Sequence, residues 1–288
     1  MIPHVPLAPE ILFHLAGWPV SNTQINAVIA LGIFLVVGWV IRSSVKERPG
    51  RFQHAAEMAL EALLSFFDQV TKDRKLSRKF FPLVGTLFLF ILVSNWMGLL
   101  PGTGSLGVWH RVGEERVFFP LLRPANSDLN LTVVMAVVSV LGAHVIGVVT
   151  FGFFAHFNKF IQLGGLWRAL RSFNPLKILI AIVEFAVGII EIFSEIAKVA
   201  SLSLRLFGNI FAGEVLITVI ASLAAFFVPL PFMALELIVG VVQATVFSML
   251  ALVYLTILSE KPHGHEEEHH EDELGEAHGL EPHAARAS

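Results

Sequence analysis

Several long apolar runs restrict the fold of this chain more than any other feature of its sequence. Residues 25–41 and 129–154 are two of them, and they match or approach the ~17–25 residues that a helix needs to cross a bilayer. The strands of a membrane barrel would alternate apolar and polar residues instead. Only 15% of the residues are charged, whereas a typical soluble domain carries roughly 25%. The sequence therefore predicts an all-α membrane protein and argues against a water-soluble enzyme.

The apolar pattern predicts about five membrane-spanning helices and one amphipathic helix on the membrane surface. The surface helix covers about residues 52–75, where apolar and charged residues recur at helical spacing. One run is anomalous, because residues 178–227 would form a helix of ~75 Å against a hydrocarbon thickness of ~30 Å. This run is expected to be tilted, bent or partly broken, and to form a long helical hairpin with the run after it. The predicted spans cover about residues 25–41, 80–100, 129–154, 178–227 and 232–259.

The distribution of Lys and Arg predicts the orientation in the membrane, because cytoplasmic loops retain positive charge. Residues 1–24 carry no Lys or Arg, whereas residues 42–80 carry nine. The N-terminal segment 1–24 is therefore expected outside, followed by a helical membrane domain at 25–260 with a polar, Gly-rich outer loop at 101–128. Residues 261–288 hold eight acidic residues and six histidines but only two basic residues. Their composition predicts a disordered, His/Glu-rich cytoplasmic tail.

Ionisable residues lie inside the last two apolar runs, where they are costly and usually mark an ion pathway. Four of them recur every seven residues and so share one stripe of a helix: Glu184, Glu191, Lys198 and Arg205. A charged stripe on an apolar helix faces protein, water or a partner rather than lipid. The alternative is a static ladder of ion pairs in which Glu191 or Glu195 neutralises Lys198. Arg205 fits that alternative poorly, because no acidic residue lies within one turn of it in its own helix.

A hairpin of constant register would bring polar residues of the last two runs together at three levels. The expected pairs are Arg205 with Gln243, Glu214 with Glu236, and Glu191 with Ser259. One arginine level then lies between two carboxylate levels, like a barrier with a water-filled vestibule on each side. Asn209, one turn from Arg205, shares the face of the arginine.

Three polar residues in or beside the third run are weaker channel candidates, together with Glu195. His144 lies inside the run and could line the outer channel, although a hydrogen bond to a backbone carbonyl is an equally good interpretation. Asp128 and Asn130 lie at the outer end of the run, where both residue types also suit a helix cap.

The sequence predicts no metal site, no cofactor and no nucleic-acid partner. The chain contains no cysteine, which excludes thiolate catalysis and Cys-based metal sites. The histidines of the tail could bind Ni or Zn ions weakly, but a solvated tail is the better interpretation. No Gly-rich phosphate loop and no hydrolase triad is present in the sequence, so the chain is not expected to be catalytic alone.

Three stretches of the sequence resemble subunit a of the F-type ATP synthase membrane sector. Residues 201–214, SLSLRLFGNIFAGE, resemble the signature of that family. Residues 94–101, SNWMGLLP, resemble the end of an earlier span, and residues 243–247, QATVF, resemble the final helix. The resemblance covers about residues 80–259. It implies a stator subunit with two half-channels that load and unload protons, or in some members sodium ions, on the carboxylates of a rotating c-subunit ring.

The same resemblance implies partners and a location. Ion flow through such a subunit is coupled to ATP synthesis elsewhere in the complex, so nucleotide chemistry belongs to other subunits. The implied partners are the c-subunit ring, the peripheral-stalk b subunits, the remainder of the ATP synthase complex and the lipid bilayer. The implied location is the bacterial cytoplasmic (inner) membrane, and the charge distribution adds an outer N-terminus and a cytoplasmic C-terminus.

The resemblance also implies roles for individual residues. Arg205 matches the essential arginine of the family, which attracts a ring carboxylate but keeps its own proton. Gln243 matches the glutamine partner of this arginine, and Asn209 matches the asparagine one turn on. The other matching positions are Glu214 and Glu236, where family members exchange acidic and histidine residues, and Glu191 and Lys198 on the cytoplasmic side.

The alternative function is a secondary transporter or ion exchanger, whose midplane site would also use a broken helix and buried charges. Such folds commonly contain a repeated half, and the sequence contains no second copy of the stretch around Arg205. A purely structural scaffold would leave the charges between residues 178 and 259 unexplained.

Overall fold

The computed structural model describes residues 6–45, 50–100, 103, 106–112, 115–153, 156, 171, 175–224 and 227–259. The helices are α1 (Asn22–Ser44), α2 (Arg51–Thr71), α3 (Arg74–Gly98), α4 (Leu129–Phe151), α5 (Pro175–Leu223) and α6 (Pro229–Ser259). The strands form two antiparallel hairpins, β1 (Ile11–Leu15) with β2 (Trp18–Ser21) and β3 (Gly107–Val112) with β4 (Glu115–Pro120). A 3₁₀ turn at Ala125–Ser127 precedes α4. The predicted all-α membrane class is confirmed.

Polar side chains determine where three of the helices begin. Ser21 and Gln24 form a reciprocal capping box at the start of α1. The Asp73 carboxylate accepts a hydrogen bond of 2.8 Å from the backbone N–H of Lys75 at the start of α3. Asp128 caps α4 in the same way. Each cap satisfies a backbone donor that the first helical turn leaves without a partner, which typically contributes about 1 kcal/mol.

Four of the described helices are long and apolar enough to cross a membrane: α1, α3, α4 and α6. Helix α5, which corresponds to the anomalous predicted run, is one continuous helix of 49 residues. A helix of this length extends over ~75 Å, so it exceeds the hydrocarbon thickness without being broken. It pairs with α6 as the predicted hairpin. The predicted tail at 261–288 lies outside the described residues.

Two boundaries between helices differ from the sequence expectation. The surface helix α2 ends at Thr71 rather than near residue 75, because Lys72 adopts a left-handed backbone conformation with φ of 54°. Helix α3 therefore begins at Arg74, six residues before the predicted start of that span. Helical spacing of the apolar residues continues through this break, so the pattern alone could not locate it.

The expectation of a Gly-rich loop at 101–128 is partly wrong, because Gly107–Val112 and Glu115–Pro120 form the antiparallel strands β3 and β4. Its register places Gly107 opposite Pro120 and Val112 opposite Glu115. Valine and aromatic residues favour extended structure in both strands. The glycines and prolines beside the strands favoured a loop more strongly than these residues favoured strands.

The apolar core of the bundle lies between α3, α4, α5 and α6. Ile91, Ala136, Leu206 and Phe247 contribute one buried side chain from each of these helices. Helix α1 is different, because most of its apolar side chains are exposed. An exposed apolar surface on a spanning helix suits contact with lipid or with another subunit.

Polar contacts fix α6 against α3 inside this bundle. The Asn95 Nδ2 donates to the backbone carbonyl of Gly240 at 3.3 Å, and its Oδ1 accepts from Asn126 Nδ2 at 2.6 Å. The Trp96 indole donates to the carbonyl of Leu237 at 3.2 Å. A polar side chain that bonds to a neighbouring helix in lipid is expensive to displace, so these bonds fix the register of the two helices.

We expect Gly98→Ala to lower the stability of the bundle by about 1–3 kcal/mol, the usual cost of overpacking. Gly98 lies directly against the rigid ring of Pro124, and an added Cβ would overlap that ring. Gly38→Ala in α1 is the matched control, because no atom lies within 4 Å of its added Cβ. Unfolding by SDS in mixed micelles, followed by circular dichroism, measures both variants. Equal midpoints for the two would contradict the close approach.

Candidate functional site

Arg205 lies on an exposed side of α5, near the middle of the described hairpin. Among the described residues, its guanidinium makes one hydrogen bond, from Nη2 to the Ser201 hydroxyl at 3.3 Å. The residues around it on this side are small and exposed: Ser201, Gly208, Asn209 and Ala212. The described helices of the chain therefore leave the arginine uncovered.

Gln243 of α6 is buried beside this level of α5 but contacts Asn209 rather than Arg205. The Asn209 Nδ2 donates to the Gln243 Oε1 at 2.6 Å. Gln243 therefore pairs with the residue one helical turn beyond Arg205, its expected partner. Among the described residues, the Gln243 Nε2 is buried without a hydrogen-bond partner.

Glu214 binds Arg123, a residue that sequence reasoning did not select. The Arg123 Nε lies 2.7 Å from Glu214 Oε1 and 3.1 Å from Oε2, and the arginine side chain is only 2% exposed. Arg123 follows the β3–β4 hairpin and precedes the 3₁₀ turn. A signal was present in the sequence, because an acid inside a span requires a cation nearby.

Arg123 also binds the N-terminal segment. Its Nη1 donates to the carbonyl of Ala8 at 3.3 Å and its Nη2 donates to the carbonyl of Pro6 at 2.9 Å. Glu10 follows in this segment and accepts a hydrogen bond of 3.0 Å from Asn22. Burial raises the pKa of the Glu10 carboxyl above its ordinary value, although the charge of Arg123 acts in the opposite direction. Each of the three guanidinium nitrogens thus donates to an acceptor, which is the Glu214 carboxylate or one of two backbone carbonyls.

Glu236 of α6 is buried and lies against Gly213 of α5. An added Cβ at Gly213 would overlap the Glu236 carboxyl group, so only glycine leaves room for it. Among the described residues, the Glu236 Oε1 has no hydrogen-bond partner. Glu214 and Glu236 both border one cavity of about 500 Å³, to which Arg123, Asn95 and Thr218 also contribute. A cavity of this size holds several water molecules, each of which occupies ~30 Å³ in the liquid.

A second polar cluster lies on the other side of Arg205 along α5. Lys198 Nζ donates to Glu195 Oε1 at 2.7 Å and lies 5.2 Å from the centre of the Tyr254 ring. The second oxygen of Glu195, Oε2, lies 3.4 Å from the His144 Nε2. Lys198 is therefore paired with an acid of its own helix, as the ion-pair alternative requires. Glu191, one turn before Glu195, is half-buried, and Glu184 is exposed.

The weaker candidates of the third span separate into two groups. Asp128 caps α4, where its Oδ1 accepts from the backbone N–H of Asn130 at 2.9 Å and from its side-chain amide at 3.1 Å. His144 lies at the opposite end of α4 and contacts Glu195. His144 therefore lies beside Glu195, on the Lys198 side of Arg205, and does not border the cavity of Glu214.

The arrangement thus consists of three levels along α5. A water-sized cavity with two carboxylates lies on one side of Arg205, and a cluster of an acid, a lysine, a tyrosine and a histidine lies on the other. Arginine keeps its proton, whereas carboxylates and imidazoles exchange theirs. Within the described ranges, no group of three or more His, Asp or Glu side chains could hold a metal ion.

Comparisons with known proteins agree on one family. Residues 24–256 match the profile of a protein family described as ATP synthase A chain. ATP synthase subunit a of Trichlorobacter lovleyi is 30% identical over 248 residues, which cover 85% of this chain and 91% of that protein. The subunit a proteins of Campylobacter concisus and Geobacter sulfurreducens are 32% and 31% identical over 80% of this chain, and the matches cover 88% and 83% of their lengths.

We expect Arg123→Gln to destabilise the chain by about 3–5 kcal/mol, because it leaves the Glu214 carboxylate without the cation that compensates its burial. The double variant Arg123→Gln with Glu214→Gln should recover part of this loss, because it leaves no unpaired charge. A double-mutant cycle of SDS unfolding midpoints measures the coupling between the two residues. Additive effects of the two substitutions would show that the ion pair contributes nothing.

Proposed function

The chain belongs to the ATP synthase A chain family, and from this premise we propose that it is the ion-conducting stator subunit of an F-type ATP synthase. Family membership and the apolar helices make it a multi-pass membrane subunit associated with ATP synthesis and proton transport. In the proposed mechanism, two half-channels load and unload protons on the carboxylates of a rotating c-subunit ring. The chain conducts protons and is not catalytic alone.

The exposed position of Arg205 is the observation that carries this proposal. A cation that faces lipid is costly, so a membrane helix exposes one only where a partner covers it. The small residues around Arg205 let another helix approach closely. A ring of helices that presents carboxylates supplies both the cover and the counter-charge.

Arg205 would separate two proton paths. The cavity beside Glu214 and Glu236 supports one half-channel, because it combines carboxylates with space for water. The cluster around Glu195 and Lys198 supports the other half-channel. Each lies roughly 10–15 Å from Arg205 along the axis of α5, at 1.5 Å per residue.

The retained charge of the arginine explains why the two paths would not join. Arginine attracts a deprotonated ring carboxylate but does not pass a proton onward. A proton from the cavity neutralises the ring carboxylate, which then turns into lipid without the cost of a buried charge. The membrane potential contributes ~2.3 kcal/mol per charge per 100 mV and so biases the direction of rotation.

The orientation and the other partners belong to the same proposal. The positive charges of residues 42–80 favour a cytoplasmic location for α2, which places the cavity of Glu214 on the outer side. The matched relatives come from bacteria, which favours the cytoplasmic (inner) membrane. Peripheral-stalk b subunits would hold the chain still while the ring turns.

We expect Arg205→Ala to abolish ATP-driven proton pumping while the complex still assembles. Arg205→Lys should also fail, because an ammonium loses its proton more readily when desolvated and lacks the planar fork of arginine. Fluorescence quenching of a pH-sensitive dye in inverted membrane vesicles measures pumping. Ser201→Ala is the matched control, since it removes the hydrogen-bond partner of Arg205 but keeps the charge. Pumping at wild-type rates by the alanine variant would refute the proposed function.

The cavity beside Glu236 should be accessible to water in the assembled complex. Because the chain has no cysteine, Glu236→Cys and Thr218→Cys report directly on access to this cavity. Both variants should react with membrane-impermeant thiol reagents added from the outer side. Leu206→Cys, placed in the apolar core, should not react. Protection of all three positions would argue against an aqueous half-channel here.

Glu236→Gln should slow proton pumping without uncoupling it from ATP hydrolysis.

A further inference from the structure

A line of polar side chains runs from Tyr254 of α6 through Lys198 to Glu195 of α5, on the side of Arg205 opposite to the cavity. Lys198 lies over the ring of Tyr254, the single tyrosine of the chain, and donates to Glu195. Side chains of α5 and α6 thus meet around Glu195.

Two histidines continue this line beyond Glu195. The His144 Nε2 lies 3.4 Å from Glu195 Oε2, and the His144 Nδ1 lies 3.1 Å from the His156 Nε2. The two imidazole rings meet edge to face, with centroids 5.3 Å apart. Both ring nitrogens of His144 are therefore engaged, so this residue links its two neighbours rather than ending the line.

Two glycines, Gly152 and Gly147, allow the His156 ring to lie beside His144. Helix α4 ends at Gly152, whose φ of 86° is a conformation that favours glycine, and the backbone N–H of His156 donates to its carbonyl at 3.1 Å. The His156 ring lies against Gly147, where an added Cβ would overlap it. His156 is only 4% exposed. The fold therefore holds a second imidazole against the first at the end of a membrane-spanning helix.

We propose that His144 and His156 form a proton relay between Glu195 and the membrane face at which α4 ends. The inference rests on the proposed function, because it assigns residues to the half-channel on the Lys198 side of Arg205. Imidazole suits this task, since one ring nitrogen can accept a proton while the other releases one.

The observed contacts fit the two protonation states that a relay needs. When both rings are neutral, the His156 Nε2–H donates to His144 Nδ1, and the His144 Nε2–H donates to Glu195. When His144 carries an extra proton, its Nδ1–H donates to the His156 Nε2 and its Nε2–H still donates to Glu195. The pair accepts a proton without moving any heavy atom.

One proton enters and one leaves in each passage. A hydronium ion gives a proton to the His156 Nδ1 and leaves as water, the His156 Nε2 proton passes to His144 Nδ1, and the His144 Nε2 proton passes to the Glu195 carboxylate. Only N–H and O–H bonds form and break. Each ring returns to its starting tautomer when it releases its Nδ1 proton and takes one up at Nε2, and passage in the other direction reverses the steps.

The charges that face the relay come from two helices besides α4. On α5, Glu195 stabilises a proton on His144, Lys198 opposes it, and Glu191 lies one turn further along. On α6, Tyr254 supplies a neutral hydroxyl next to Lys198.

The test measures ATP hydrolysis by the intact ATP synthase in vesicles that an uncoupler has made leaky to protons. Turnover then reports proton passage without a gradient. His156→Gln keeps a polar side chain but cannot relay a proton. We expect turnover about tenfold lower, less than the roughly hundredfold loss typical of removing a general acid–base group, because water partly replaces the ring. The dependence on pH between about 5 and 8 should also flatten.

Chemical rescue separates a relay from a structural role. Millimolar imidazole should restore turnover of His156→Ala severalfold and leave wild type unchanged. Thr150→Val is the matched control, because it removes a hydroxyl at the same end of α4 that bonds only within the helix. Wild-type turnover and pH profile in His156→Gln would overturn the relay. Failure of both His156 variants to assemble, when Thr150→Val assembles, would also overturn it in favour of a structural role.

Arg205→Ala in the same vesicles distinguishes the relay from the proposed function. An inactive Arg205→Ala complex together with a normal His156→Gln complex would refute the relay alone. Wild-type activity and pumping in Arg205→Ala would refute the proposed function, and the relay with it.

Discussion

Hydrocarbon cannot solvate a charge, and this constraint explains where most ionisable side chains of the bundle lie. Arg123 satisfies it through the Glu214 carboxylate and two backbone carbonyls, which accept from its three guanidinium nitrogens. Lys198 satisfies it through Glu195. Arg205 departs from the rule, because its side of α5 is uncovered by the described helices. The exception supports the proposed function, in which the carboxylates of a c-subunit ring would supply the compensation that the other charges find among the described residues.

In the proposed mechanism, the two sides of Arg205 would handle protons with different chemistry. The cavity side offers carboxylates and room for water, so a proton would cross it on moving water molecules. On the other side, a proton would pass from one side chain to the next. A path through water depends on the volume of the cavity, whereas a path through side chains depends on distances of a few tenths of an ångström. Packing changes should therefore disturb the two sides unequally.

Sequence patterns predicted the helices more accurately than they predicted the contacts between side chains of different helices. Apolar runs identified the spans, and Arg205 stood out because its own helix offers it no acid. The expected Arg205–Gln243 pair failed by one turn, with Gln243 on Asn209, because packed helices cross at an angle and a constant pairing holds over a short stretch only. The partners Arg123 and His156 were missed, since each reaches its site through a turn whose direction no periodicity encodes.

The hydrogen bonds from Arg123 to the N-terminal segment can form only late in the synthesis of the chain. Residues Pro6 and Ala8 leave the ribosome early, but Arg123, whose donors hold them, follows more than a hundred residues later. Glu214, which compensates the charge of that arginine, is made later still. Contacts between such distant parts of a chain form late, because loop closure must precede them. Pro6 and Ala8 are thus among the last of the described residues to reach their final positions, after nearly the whole hairpin has entered the membrane.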